Sequence, residues 1–143
     1  MPATYHRGRK RSQAGTALLV GVAVAYSFLR WKPFRVEISG GSMAPALRPG
    51  DWALAVAPGR VRRGDIVVAE HPERPGFEMV KRVAILPDEL APDGGILGLD
   101  EYWVEGDDPA NSTDSRHFGP VRREQIKAKV RLIYWPPSRR RLL

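Results

Sequence analysis

Glu78-Met-Val-Lys-Arg-Val-Ala-Ile-Leu86 is rich in β-branched and apolar residues, and it predicts a strand. With a period of two, Met79, Lys81, Val83 and Ile85 share one face, and Val80, Arg82, Ala84 and Leu86 the other. Lys81 thus keeps company with three apolar side chains. Burial there disfavours the ammonium and lowers the lysine pKa, which a catalytic amine requires at neutral pH. The plainer reading is a strand lysine with its head in water. Outward from this run, further candidate strands cover Phe34–Ile38, Trp52–Ala57, Asp65–Glu70, Tyr102–Glu105 and Lys127–Tyr134. Gly- or Pro-containing turns separate them at Pro58-Gly59, Pro72–Gly76 and Gly94-Gly95. Short strands without a long helical pattern predict a mainly β, small antiparallel, partly barrel-like domain.

Ile38-Ser-Gly-Gly-Ser-Met-Ala-Pro-Ala-Leu-Arg-Pro-Gly-Asp51 carries the second signal. Gly40 and Gly41 permit positive φ and close approach of a substrate backbone, and Pro45 and Pro49 stiffen the exit. Ser42 then stands as a nucleophile in a glycine-rich turn, but a serine hydroxyl needs a base. The three histidines, His6, His71 and His117, sit in no convincing triad context. Lys81, 39 positions downstream, is the better candidate.

The third segment, Gly106-Asp-Asp-Pro-Ala-Asn-Ser-Thr-Asp-Ser-Arg-His-Phe-Gly-Pro-Val121, is dense in short hydroxyl and carboxylate side chains. By itself it is a polar loop built on Asx and Ser/Thr turns. Together with Gly40–Pro45, Gly50-Asp51, Arg63-Gly-Asp-Ile-Val-Val68 and Val80-Lys-Arg-Val83, in that order, it resembles the signal peptidase I family of Ser/Lys endopeptidases over residues 36–134. The resemblance implies Ser42 as nucleophile, Lys81 as general base and Ser112 as a hydroxyl orienting the amine. It implies ion pairs between Arg82 and Asp107 and between Asp114 and Arg116, and substrate or oxyanion contacts at Gly40, Gly41, Met43 and Pro45. Ser115 is equally a turn residue. Three positions depart from the family pattern: Ala46 replaces a usual Thr, Asp108 a usual Asn, and Pro87-Asp-Glu a usual Pro-Gly-Asp. Some members place an oxyanion-binding Ser where this chain has Gly40. Water would release the acyl-enzyme through the same lysine, with no metal and no cofactor.

The chain has 143 residues and no cysteine, so one domain with a short appendage must be stabilised by its core. Its net charge of +7 is unevenly spread. Residues 1–35 carry +7, residues 36–121 carry −7 and residues 122–143 carry +7. An acidic centre between basic ends suits a membrane surface better than nucleic acid. Ser12 to Leu29 is uncharged over 18 residues. As a helix it spans ~27 Å, and Trp31 with Arg30 and Lys32 closes the gap to a ~30 Å hydrocarbon core. The expected organisation is a basic tail at 1–11, a transmembrane anchor at 12–32, a catalytic domain at 33–135 and a basic tail at 136–143. The last stretch either rests on the membrane or frays. Arg7, Arg9, Lys10 and Arg11 favour a cytoplasmic start and an extracytoplasmic catalytic domain. The rival is a cleaved secretory signal with Ala23-Val-Ala25 at the cleavage site.

The leading function is therefore a membrane-anchored serine endopeptidase acting on precursor proteins with N-terminal leader peptides, with the lipid bilayer as its other partner. Trp103-Val-x-Gly-Asp-x-Pro109 and the short length also resemble the proteases that mature nickel superoxide dismutase, a dedicated-substrate alternative. A LexA-like self-cleaving regulator also pairs Ser-Met with Val-Lys-Arg, but the anchor, the 106–121 segment and the missing helix-turn-helix argue against it. The last class is an inactive membrane-tethered binding module, which the presence of both Ser42 and Lys81 does not favour.

Overall fold

Alternating apolar residues build an antiparallel sheet whose central strand is buried on both sides. The computed structural model describes residues 19–23, 25–26 and 33–143. The strands are β1 (Phe34–Glu37), β2 (Trp52–Val56), β3 (Ile66–His71), β4 (Arg74–Ile85), β5 (Glu101–Glu105), β6 (Val121–Arg122), β7 (Ile126–Trp135) and β8 (Arg141–Leu142). They follow the open order β1-β2-β7-β3-β4-β5-β6, with β8 also paired to β7. The domain is thus mainly β and antiparallel, as expected, but the sheet is not closed into a barrel.

The alternation along β3 sorts the core. Ile66 and Val68 enter a cluster with Met43, Leu47, Ala53, Ala55, Ala128, Val130 and Ile133. Val67 and Ala69 enter a second cluster with Met79, Val83, Val104, Val121 and Ile126. Burying each Val, Leu, Ile or Met side chain among these contributes about 1.5–3 kcal/mol before ordering costs. Met79 and Val83 flank Lys81 on the strand face expected from the sequence, and Lys81 sits opposite Val67 in register. The lysine is therefore built into a buried face, and the solvated alternative does not hold. Residues 87–100 form an excursion closed by the Leu90–Ile96 bridge over Ala91, Leu97 and Trp103.

Two strand ends differ from expectation. β4 begins at Arg74, four residues before Glu78, because the ladder shifts register after Glu70 and continues through Pro75 and Gly76. Gly76 absorbs the irregularity with φ +82° and donates its N–H to Glu70 Oε1 at 3.2 Å. The stretch expected as a basic tail folds back onto the domain. Pro137–Arg139 form a 3-10 turn, β8 pairs Leu142 with Leu132, and Leu143 packs against the first core cluster. Backbone pairing and the ion pair of Arg139 with buried Asp51 outweigh the freedom of a frayed end. At the other end, residues 19–23 and 25–26 are helical. No helix among the described residues is long and apolar enough to cross a membrane. The 1–11 tail and most of the 12–32 anchor lie outside the described residues.

Candidate active site

The turn bearing Ser42 joins β1 to β2 and is closed at its base by two backbone bonds. Ile38 N–H donates to Asp51 O at 2.9 Å, and Gly50 N–H donates to Ile38 O at 2.8 Å. Met43 and Leu47 plug the loop into the first core cluster, so the intervening backbone is pulled taut beneath the serine. Gly50 takes φ +88°, which only glycine adopts without strain. The positive φ expected at Gly40 and Gly41 is absent. Their contribution is openness, because a Cβ at either would meet nothing within 4 Å.

Lys81 Nζ donates to Ser42 Oγ at 2.9 Å, and Lys81 is only 4% exposed. The same separation serves the reverse transfer, from the hydroxyl to a neutral amine. Burial is the main influence and pushes the amine below the ordinary lysine value. The Asp114 carboxylate opposes this and the Arg116 guanidinium adds to it.

Behind this pair lies the polar segment that follows β5. Asp114 is fully buried at the N-cap of helix α1 (Ser115–Phe118). Its carboxylate accepts from Gly106 N–H at 2.8 Å, from Ser112 Oγ at 2.6 Å and from Arg116 Nε at 2.8 Å. Burial alone would raise this carboxyl, yet the Arg116 guanidinium and these donors outweigh it and hold it far below the usual range. Since the Ser112 hydroxyl gives its proton to Asp114, it can meet an amine only as an acceptor. Ser115, at the first helical position, accepts from Val104 N–H at 2.9 Å and so ties α1 to β5. His117 serves the helix cap, with Nδ1 accepting from Asp114 N–H at 3.3 Å.

Arg82, on the opposite face of β4 from Lys81, forks onto Asp107, with Nε to Oδ1 at 2.7 Å and Nη2 to Oδ2 at 2.6 Å. A bidentate pair of this kind fixes orientation as well as charge. It draws the 106–108 backbone to the serine turn, where Asp108 N–H donates to Ser42 O at 2.9 Å. Gly106 lies in this seam. A Cβ there would stand 2.6 Å from Ser42 O and 2.2 Å from Ser112 Oγ.

A cleft of about 680 Å³ opens over Ser42 and Lys81, walled by β1 on one side and by β4 with its hairpin on the other. Gly40, Gly41 and Met43 line it, while Pro45 faces a separate concavity with Ala46, Arg48, Asp107, Arg139 and Arg141. Met43 is 1% exposed and is chiefly a core anchor. Sequence reasoning put Ser42, Lys81, Ser112, Asp114 and the two ion pairs in one neighbourhood, and the structure does bring them together. It missed the steric role of Gly106 and the partner of Asp51, which is Arg139. The Gly-Asp dipeptides at 50–51 and 106–107 were the available signal. Among the described residues, no three His, Asp or Glu side chains group as a metal site.

Comparison with known proteins agrees with this arrangement. The family model for signal peptidase, peptidase S26, matches residues 10–94 and 88–135. Human mitochondrial inner membrane protease subunit 1 is 31% identical over 141 residues, covering 86% of this chain and 85% of that protein. Mouse mitochondrial inner membrane protease subunit 2 is 35% identical over 135 residues, covering 84% and 77%. The Arabidopsis thaliana mitochondrial ATP-independent inner membrane protease subunit 1a is 35% identical over 118 residues, covering 71% and 70%. With the match running through the serine turn, the lysine strand and the 106–121 segment, the chain belongs to the signal peptidase, peptidase S26, family and is a serine-type peptidase.

Proposed function

We propose that this chain is a membrane-anchored endopeptidase with a Ser42/Lys81 dyad, and that it removes N-terminal leader peptides from exported precursor proteins. The observation that carries the proposal is the buried amine 2.9 Å from the Ser42 hydroxyl. Neutral Lys81 accepts the hydroxyl proton as Ser42 Oγ attacks the scissile carbonyl. The oxyanion that forms is met by the Ser42 backbone N–H. The lysine ammonium then protonates the leaving amine, giving an acyl-enzyme and a free mature N-terminus. Lys81 next takes a proton from water, which attacks the ester, and returns it to the departing Ser42 Oγ as the leader peptide is freed. Ser112, held by Asp114, supplies an acceptor that orients the amine.

The anchor at 12–32 would place the 33–135 domain at the extracytoplasmic membrane surface. The exposed apolar side chains of Leu19, Val20 and Val22 support a membrane association, and so do relatives named as inner membrane proteases. Family membership favours this reading over a self-cleaving regulator. The test is cleavage of several exported precursors in detergent, with product N-termini sequenced, by the wild type, Ser42→Ala and Lys81→Met. Cleavage after small residues in several precursors, abolished by either substitution, is expected. Cleavage that survives both substitutions refutes the dyad. Cleavage of a single precursor replaces the general leader peptidase with a dedicated maturation protease.

A further inference from the structure

The residues beyond β7 touch the serine turn at Pro45 and Ala46, which line a concavity separate from the cleft. Asp51, at the base of the turn, is 1% exposed. Its Oδ1 accepts from Arg139 Nε at 2.7 Å, and its Oδ2 accepts from Arg139 Nη2 and from Arg48 N–H, each at 2.8 Å. The same guanidinium approaches the carbonyls of Ala46 at 3.4 Å and Pro45 at 3.5 Å. Arg141 donates to Ala46 O at 2.6 Å. These contacts grip the backbone three and four residues after Ser42, and they come from 88 or more positions along the chain.

We infer that Arg139 is a positioning residue for the peptidase reaction, holding the serine turn in register with Lys81 through Asp51 and the Pro45–Ala46 backbone. The inference rests on Ser42 being the nucleophile. A buried carboxylate whose acceptor sites are filled by one planar fork and one backbone N–H defines a single loop position, which a lysine point charge cannot reproduce. The turn has two other supports, the Met43 and Leu47 plugs and the Asp108–Ser42 bond. Those fix its inner side, and Arg139 fixes the outer. The cleft is lined by β1, β4 and residues 39–43 of the turn, whereas the hydrogen bonds of Arg139 go to Asp51, Pro45 and Ala46, none of which lines it. Its loss should therefore disturb the nucleophile and leave substrate binding intact.

The experiment uses the full chain in detergent with a quenched fluorescent peptide spanning an Ala-x-Ala leader cleavage site. Both kcat and KM are measured, and thermal unfolding is followed for every variant. Arg139→Ala should lower kcat about ten- to a hundredfold at unchanged KM. Arg139→Lys should recover part of the loss. Arg140→Ala, whose guanidinium reaches Tyr134 O and not the serine turn, should behave as wild type. Asp51→Asn combined with Arg139→Ala should lose little more than the worse single variant, because both break one contact. If Arg139→Ala does not fold, Arg139→Lys and Asp51→Asn carry the test.

A folded Arg139→Ala with wild-type kcat overturns the inference. So does a rise in KM alone, or a kcat loss matched by the unfolded fraction. Ser42→Ala run in parallel separates the two levels. If it is inactive while Arg139→Ala is normal, the positioning role alone fails. If it cleaves normally, the dyad itself is wrong.

Discussion

Gly106→Ala is the smallest substitution that tests how the serine turn and the polar segment fit together. An added Cβ would lie 2.6 Å from Ser42 O, 2.6 Å from Ser112 Cβ and 2.2 Å from Ser112 Oγ. The Ser112 hydroxyl can rotate away, but its Cβ and the Ser42 carbonyl move only with their backbones. Ordinary contact begins near 3.4 Å, so the Ser42 backbone must retreat by about 0.8 Å. That retreat also lengthens the Asp108–Ser42 bond, now 2.9 Å, and draws the Ser42 hydroxyl away from Lys81. A misplacement of about 1 Å costs about a hundredfold in rate, or about 2.7 kcal/mol of barrier. Overpacking separately costs about 1–3 kcal/mol of stability, which lowers Tm by roughly 4–12 °C in a domain of this size. The assay is steady-state cleavage of the Ala-x-Ala peptide well below the lowered Tm. The expected result is a kcat reduced about a hundredfold with KM little changed. A folded Gly106→Ala with wild-type kcat would refute the coupling of the two segments.

Two further outcomes follow from the electrostatics. Lys81→Met should raise Tm most at pH values below the lowered folded-state pKa of Lys81, where the wild type bears the full cost of burying an ammonium. As pH climbs from that lowered pKa towards about 10.4, the unfolded wild type binds the extra proton, its stability rises, and the Tm gap should narrow. A gap that widens with pH would show that the lysine is not destabilised by burial. The alkaline-rising limb of kcat/KM should report deprotonation of Lys81, and Arg116→Gln should move it to higher pH. Removing that guanidinium both deletes a cation that lowers the lysine pKa and bares the Asp114 carboxylate that raises it. An unmoved limb would assign the titration to another group.

Much of this architecture was legible because its signals are local. Period-two alternation located β1, β2, β3, β5 and β7 to within a residue or two at each end, and it assigned Lys81 to the Met79–Val83 face. What escaped depends on partners distant in sequence. β6 and β8 span two residues each and exist only because β5 and β7 offer edges. A Pro-Gly pair at 75–76 predicts a turn, yet the sheet carries it within β4 by a register shift. Clustered arginines at 139–141 resemble a solvated tail until buried Asp51 is seen to need a counter-ion. The expected positive φ at Gly40 and Gly41 failed for a related reason. The left-handed backbone position of this turn falls at Gly50, just before β2, and the glycines beside Ser42 leave space instead.

The far-flung supports of the serine turn bear on when a newly made chain acquires its site. Ser42 and Lys81 are 39 positions apart, but the Arg139–Asp51 bridge spans 88. Contacts of such separation form late, because loop closure must precede them. A growing chain therefore carries Ser42 and Lys81 before the arginines that contact the serine turn, Arg139 and Arg141, have been synthesised. If Arg139 positions the serine turn as inferred, full proteolytic competence waits until residues 139–141 have been made and docked.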